Sequence, residues 1–245
     1  ALTGEERAIV SPVAGTTRDT VDSLFEFEGT RFTFLDTAGL RRRGSVESGL
    51  EKYSAIRTIG AIERCYVAVL VLDSTEFVTA QDQHIGGYID DASRAAVIVI
   101  NKWDLAPELG LNKADAVEAV RNRFRFIPNV PVLFTSALTG WGVEKVLPII
   151  LDVYEEFSKQ IPRSEISRAI FDAMGENPLP GIGSQRPRIY RSIQSRTSPP
   201  TFEFIARNPD LIHFSYRRYL ENRLRERFGF IGSPLRMTFK TRDDD

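Results

Sequence analysis

Four short runs rich in β-branched and aromatic residues recur along the first 160 or so positions: Arg31 to Leu35, Tyr66 to Leu72, Ala95 to Ile100 and Val132 to Phe134. Between them the pattern changes to helix-like stretches at about 47–64, 82–92, 113–125 and 142–159. Strands that are apolar along their whole length and alternate with helices predict a parallel sheet covered on both faces. Segment 22–28 adds a predicted antiparallel edge strand. On sheets of this kind ligands bind at the carboxyl ends of the strands.

The pattern changes character near Ile161-Pro162, because Pro162 cannot continue the preceding helix. Beyond it the order reads helix (Arg163 to Gly175), mobile loop (177–187), strand (Arg188 to Ser195), strand (Thr201 to Arg207), helix (Leu211 to Phe228) and strand (Leu235 to Lys240). In the last helix Tyr216, Leu220, Leu224 and Phe228 recur every four residues as one apolar stripe, and Gly229 is its natural stop. The expected division is therefore an α/β domain over 1–161 and a small α+β domain over 162–245.

Composition narrows the picture. With 42% hydrophobic and 27% charged residues the chain reads as globular. Its longest apolar runs are far too short to span a bilayer, no signal-peptide pattern opens it, and no membrane association is expected. The single Cys65 excludes an intrachain disulfide and points to a reducing cytoplasm, with a small core residue as its expected role. The net charge of −1 conceals an asymmetry: segment 163–242 holds 14 Arg and one Lys against seven acidic residues, which leaves the first part acidic. A basic second part favours RNA, DNA or an acidic protein surface as partner.

The strand ends carry the chemistry. Asn101-Lys102-Trp103-Asp104 closes the run Ala95 to Ile100. A carboxylate there can accept from both the N1–H and the exocyclic amine of guanine, an arrangement adenine does not offer, so Asp104 is the expected reader of the base. Asn101 is expected to tether neighbouring loops, and the stem of Lys102 to cover the ring. Ser136 and Ala137, in Thr135-Ser136-Ala137, follow the strand Val132 to Phe134 and are placed to cover the base. Upstream, Asp36-Thr37-Ala38-Gly39 follows Arg31 to Leu35. Asp36 there can hold a Mg²⁺ through water, and Gly39 lets its N–H approach a γ-phosphate. Thr16 and Thr17 lie in a preceding loop; a threonine hydroxyl there, Thr17 by preference, can complete the magnesium shell only while the γ-phosphate is present.

Leu40 stands directly after this motif and cannot orient water or move a proton, so hydrolysis must rely on another residue, a monovalent cation or a partner; no catalytic side chain is assigned. GxxxxGK[S/T] is nowhere in the chain. The expectation is that this phosphate loop and the first strand lie upstream of Ala1, and that a chain truly without them is unstable and inactive. Gly229-Phe230-Ile231-Gly232 has the spacing of an RNA-clamping GxxG loop, but it follows a helix and precedes a strand, so it is read as a decoy. His84 and His213 lack ligand-spaced partners and are read as structural.

Together these residues resemble the Der/EngA family of bacterial tandem-G-domain GTPases, as a second G domain followed by a KH-like domain. AGTTRD at 14–19, DTAGLRRRG at 36–44, NKWDL at 101–105 and TSALTGWG at 135–142 carry the likeness in the first part. SPPTFEFIARNP at 198–209 and SYRRYLENRLRERFGFIGSP at 215–234 carry it in the second. The resemblance implies a P-loop GTPase-type fold and a cytoplasmic, monomeric switch that binds GTP and GDP with Mg²⁺. It also implies hydrolysis of GTP and action in assembly of the large ribosomal subunit through ribosomal RNA or precursor particles. An Era-type GTPase with an RNA-binding domain and a nucleotide-independent interaction module remain the alternatives. The RNA surface is expected on the last helix, where Arg218, Asn222 and Arg225 share a face away from the apolar stripe.

Overall fold

The computed structural model describes residues 23–35, 58–127, 129–181 and 186–241. Strands β1 (Ser23–Phe27) and β2 (Thr30–Phe34) form an antiparallel ribbon, which among the described residues is separate from the main sheet. That sheet consists of β3 (Val67–Asp73), β4 (Ala95–Asn101) and β5 (Val132–Phe134), parallel and in the order β3-β4-β5. Residues 58–64 are helical, and the remainder of the helix expected at 47–64 lies outside the described residues. Helix α1 (Ala80–Asp91) connects β3 to β4, α2 (Lys113–Arg123) connects β4 to β5, and α3 (Val146–Ser158) follows β5.

The uninterrupted apolar run of β4 has a physical reason. Ala96, Ile98 and Ile100 face a core built with α1 and α2, including Ile89, Val120 and Phe124. Ala95, Val97 and Val99 face the opposite core, with Val146, Ile150, Val153 and Phe157 of α3. Both faces are covered, so neither set of alternating positions can be polar. Helix starts follow side-chain chemistry: Thr79 and Asp82 form a reciprocal capping box at α1, and Asn112 caps α2 by accepting from the Asp115 N–H at 2.9 Å. Cys65 packs half-buried against the first core and donates to the Ile62 carbonyl at 3.3 Å; burial raises its pKa.

The second part is α4 (Arg163–Glu176), β6 (Arg188–Arg196), β7 (Thr201–Arg207), α5 (Phe214–Phe228) and β8 (Arg236–Thr241). β6 pairs antiparallel and β8 parallel to the central β7. Helices α4 and α5 cover one face of this sheet around Phe202, Phe204, Leu220, Leu224 and Phe230. Each such fully buried phenylalanine contributes roughly 2–3 kcal/mol from area burial. The predicted stripe on α5 is the one that packs. The helix begins three residues later than the sequence pattern suggests, because Pro209–Leu211 forms a separate short turn and His213 caps α5 by accepting from the Ser215 N–H. The expected loop 177–187 has no regular structure over 177–181, and part of it lies outside the described residues.

Two features of the α5 region differ from expectation or sharpen it. Arg225 does not share an exposed face with Arg218 and Asn222. It is buried, paired with Glu221 at 2.9 Å, and donates to the carbonyls of Phe230 and Ser233, both at 3.0 Å. A wheel places it on the polar side, but the chain folds back after Gly229 and covers it. That returning segment, the GFIG stretch, docks on the first part of the chain. The Ala96 N–H donates to the Gly232 carbonyl at 2.8 Å, and the Gly232 N–H donates to the Asn129 carbonyl at 3.0 Å. Glu156 of α3 accepts from the Phe230 N–H and from Lys159, whose ammonium also donates to the Phe228 carbonyl at 2.9 Å. Arg236 adds a 2.7 Å bond to Ser93.

Gly232 has φ +67°, and a Cβ there would lie 2.9 Å from the Ala96 carbonyl and 2.9 Å from Val153. Gly232→Ala is therefore expected to destabilise the chain by at least about 1–3 kcal/mol through the strained backbone alone. Urea unfolding of the variant checks this; an unchanged midpoint and slope would show that the dock does not contribute to folding stability.

Candidate functional site

At the carboxyl ends of the parallel strands the structure brings together the described members of the expected base site. Asn101 ends β4, and its side-chain oxygen accepts from the Ala137 N–H at 2.9 Å and from the Thr135 hydroxyl at 3.3 Å. The backbone reinforces this link: the Thr135 N–H donates to the Ile100 carbonyl at 2.9 Å, and the Trp103 N–H to the Thr135 carbonyl at 3.0 Å. One amide side chain thus ties the loop after β4 to the loop after β5.

The second loop holds its own shape. The Ser136 N–H donates to the Trp141 carbonyl, and the Ser136 hydroxyl accepts from the Thr139 N–H at 3.2 Å. Gly142 closes it with φ +75°, where a Cβ would stand 2.3 Å from the Phe134 carbonyl oxygen, so no other residue fits without moving backbone. Ser136 is buried, whereas Ala137 is exposed at the rim. Trp103 packs on Phe134 with ring centroids 4.3 Å apart, bracing both loops from below.

Asp104 lies in the short turn Trp103–Leu105, exposed, and its carboxylate makes no hydrogen bond or ion pair with any described residue. A carboxylate so placed beside a rigid loop pair is available to a ligand. Lys102 adopts a left-handed backbone, φ 60°, which is uncommon for a non-glycine residue and costs of order 1–3 kcal/mol. Its ammonium pairs with Asp73 at 2.8 Å, and its carbonyl accepts from the Ser74 hydroxyl at 2.8 Å.

Asp73 and Ser74 were not among the sequence-derived candidates. The signal was present, because they stand at the carboxyl end of β3, the strand adjacent to β4, where such sheets place ligand contacts. Burial alone would raise the Asp73 pKa, but hydrogen bonds from Lys102 and from the Thr75 hydroxyl and N–H outweigh it and hold the carboxyl at about 2. Thr16, Thr17, Asp36 and Gly39 lie outside the described residues, as does Leu40. Among the described residues no group of three or more His, Cys, Asp or Glu side chains could hold a metal ion, and no helix is long and apolar enough to cross a membrane.

Comparison with known proteins locates this architecture. A family described as 50S ribosome-binding GTPase matches residues 1–102, and one described as the C-terminal KH-domain-like region of EngA bacterial GTPases matches residues 160–240. The chain is 43% identical over 243 residues to GTPase Der of Chloroflexus aggregans, covering 99% of this chain and 54% of that protein. It is 44% identical over 245 residues to GTPase Der of Thermomicrobium roseum, covering 99% and 53%. The chain therefore spans about half the length of the curated relatives it matches. Among solved structures, Aquifex aeolicus Era aligns over 98% of this chain and 86% of its own at 21% identity and a TM-score of 0.48.

The Asp73–Lys102 pair generates a pH signature. Because the folded pKa of Asp73 lies at about 2, below the ordinary carboxylate value, its contribution is present above about pH 4 and is lost as pH falls toward 2. Asp73→Asn is expected to lower stability near neutrality, with the gap from wild type closing between about pH 4 and 2. Chemical denaturation across that range measures it; a gap that does not depend on pH would mean that the charge of Asp73 contributes nothing.

Proposed function

Because the chain belongs to the family of GTPase Der, we propose that it is a guanine-nucleotide-binding part of a GTP-hydrolysing switch that acts on the large ribosomal subunit or its precursors. The observation that carries this reading is the rigid pair of loops joined through Asn101, with the Asp104 carboxylate left unpartnered beside it. In this reading Asp104 accepts from the two guanine donors, the stem of Lys102 covers one face of the ring while Asp73 anchors its ammonium, and Ser136-Ala137 line the opposite edge. The strained backbone of Lys102 fits a position set for a ligand rather than for folding alone.

The remaining parts of the proposal rest on family membership. GTP and GDP are the ligands, with Mg²⁺ held by Thr17 and Asp36 and the phosphates approached by Thr16 and Gly39. Leu40 supplies no water-orienting group, so a monovalent cation or the ribosomal partner assists hydrolysis. The chain divides at 161/162 into a G domain and a KH-like domain; the two sheets with separate apolar cores support that division. Ribosomal RNA is the partner of the basic second domain, and the protein acts as a cytoplasmic monomer.

Asp104→Asn replaces an acceptor with a donor. In the full-length protein it is expected to weaken mant-GDP binding at least roughly 10-fold, the loss of a hydrogen bond to a charged group, and to strengthen binding of the xanthine analogue. Fluorescence titration with both nucleotides reads the exchange. Wild-type affinity for mant-GDP in the variant would sink the assignment.

A further inference from the structure

Among the arginines of the C-terminal unit, Arg163 and Arg168 of α4 and Arg186 are exposed, and those of α5 and of the sheet differ in how the structure uses them. Helix α5 holds Arg217, Arg218, Arg223, Arg225 and Arg227, and the structure engages four of the five internally. Arg217 donates to the carbonyls of Ile212 and Pro209 and stacks over Phe239. Arg223 bridges Glu176 and Glu226 at 2.8 Å each, Arg225 is buried against Glu221, and Arg227 pairs with Asp172. Arg218 alone of the five is exposed with no such contact among the described residues. The GFIG stretch is likewise occupied by its dock on β4.

The outward face of the β6-β7-β8 sheet is different. Ile189, Ser192, Phe202, Phe204 and Ala206 are buried, on the helix-covered side of the sheet. Strand alternation then turns the intervening residues to the open side. Arg188 stands opposite Arg207, and Arg191, Ile205 and Lys240 form one row across all three strands. Arg196 lies opposite Thr201 at one end. Arg188, Arg191, Arg196 and Arg207 are exposed, and none has a carboxylate partner among the described residues. The one acid in these rows, Glu203, is taken by Lys240 at 2.8 Å. Like charges directly opposite each other on a sheet cost stability, and no described carboxylate neutralises the Arg188–Arg207 pair.

We propose that this open sheet face is where the C-terminal unit holds RNA, by its phosphate backbone. The inference rests on the ribosomal RNA reading above and adds the surface. Arginine forks on neighbouring strands, about 5 Å apart across the sheet and about 7 Å apart along it, present rows of donors suited to phosphates. Tyr190, 43% exposed and with the Arg188 guanidinium 5.5 Å above its ring, offers one stacking position. An acidic protein partner fits less well, because a protein interface needs an apolar centre and this face has only half-buried Ile193 and Ile205. One aromatic and many guanidiniums mean recognition by backbone and shape rather than by base sequence.

The test uses the full chain and two triple variants, Arg191→Glu/Arg196→Glu/Arg207→Glu and the milder Arg191→Gln/Arg196→Gln/Arg207→Gln, with Arg218→Glu as the helix control. The probes are a fluorescein-labelled RNA hairpin and a single-stranded oligouridine, titrated over a range of salt. At about 0.7 of a counterion per phosphate contact, three lost contacts should flatten the log–log salt slope by about 2 and weaken binding roughly 100-fold near 0.1 M salt. Arg218→Glu should stay within about threefold of wild type. The glutamine variant keeps the face polar and relieves like-charge repulsion, so its unfolding midpoint should be at or above that of wild type. Unchanged RNA binding by both triple variants, with loss in Arg218→Glu, would move the surface to α5 and overturn the proposal. Unchanged RNA binding with lost binding to polyglutamate would assign the face to an acidic protein and overturn it equally. Failure of the wild-type chain to bind either probe at low salt would instead remove the RNA reading on which it rests.

Discussion

Every backbone group of β4 must find a partner, because α1 and α2 cover one face of this strand and α3 covers the other, leaving no water to serve as a substitute. β3 pairs with it along its whole length, whereas β5 pairs only with Ile98 to Ile100. The remaining need on the β5 side falls at Ala96, and the Gly232 carbonyl from the far end of the chain meets it. At the other end of the strand, Asn101 continues the pairing through its side chain into the loop after β5. One buried strand thus fixes both the candidate base site at its carboxyl end and the seat of the C-terminal unit at its amino end.

This arrangement has a mechanical consequence. The C-terminal unit is anchored on the side of the sheet opposite the loops that carry Asn101, Asp104 and Ser136. Its anchors are short and mutually dependent: Arg225 shapes the segment that contains Phe230 and Gly232, Glu156 and Lys159 hold its backbone, and Gly232 enters a space that a single methyl group would overfill. Arg225 of α5 and Glu156 and Lys159 before the second unit serve this anchoring, while Arg217, Arg223 and Arg227 are engaged within the C-terminal unit itself. Four exposed arginines without a described carboxylate partner, Arg188, Arg191, Arg196 and Arg207, share the outward sheet face.

The same division between internal and external use separates Lys102 from Asp104. Both belong to one tetrapeptide, yet the lysine is engaged by Asp73 and Ser74 from the neighbouring strand and the aspartate is engaged by nothing among the described residues. A strained lysine backbone held by two neighbours sets the path of the turn from which the free carboxylate projects.

The parallel strands, the helices between them, the α5 stripe and the strand-end positions of Asn101, Asp104, Ser136 and Ala137 were legible in the residue pattern, because periodicity and strand-end position are local properties of the chain. Identifying Asp73 as the partner of Lys102 required knowing that β3 lies beside β4, and strand order is not a local property. The misplacement of Arg225 on an exposed face has the same origin: a helical wheel says which residues share a side, but not that residues 229–233 fold back over it. The role of Gly232 was equally invisible, since a glycine in a GxxG spacing reads as a loop until the carbonyl of Ala96 is seen where its Cβ would be. Residue periodicity was enough for the elements and their buried faces. Tertiary structure alone decided which charges are spent inside the molecule and which remain for a partner, because pairing across distant segments depends on where the chain returns.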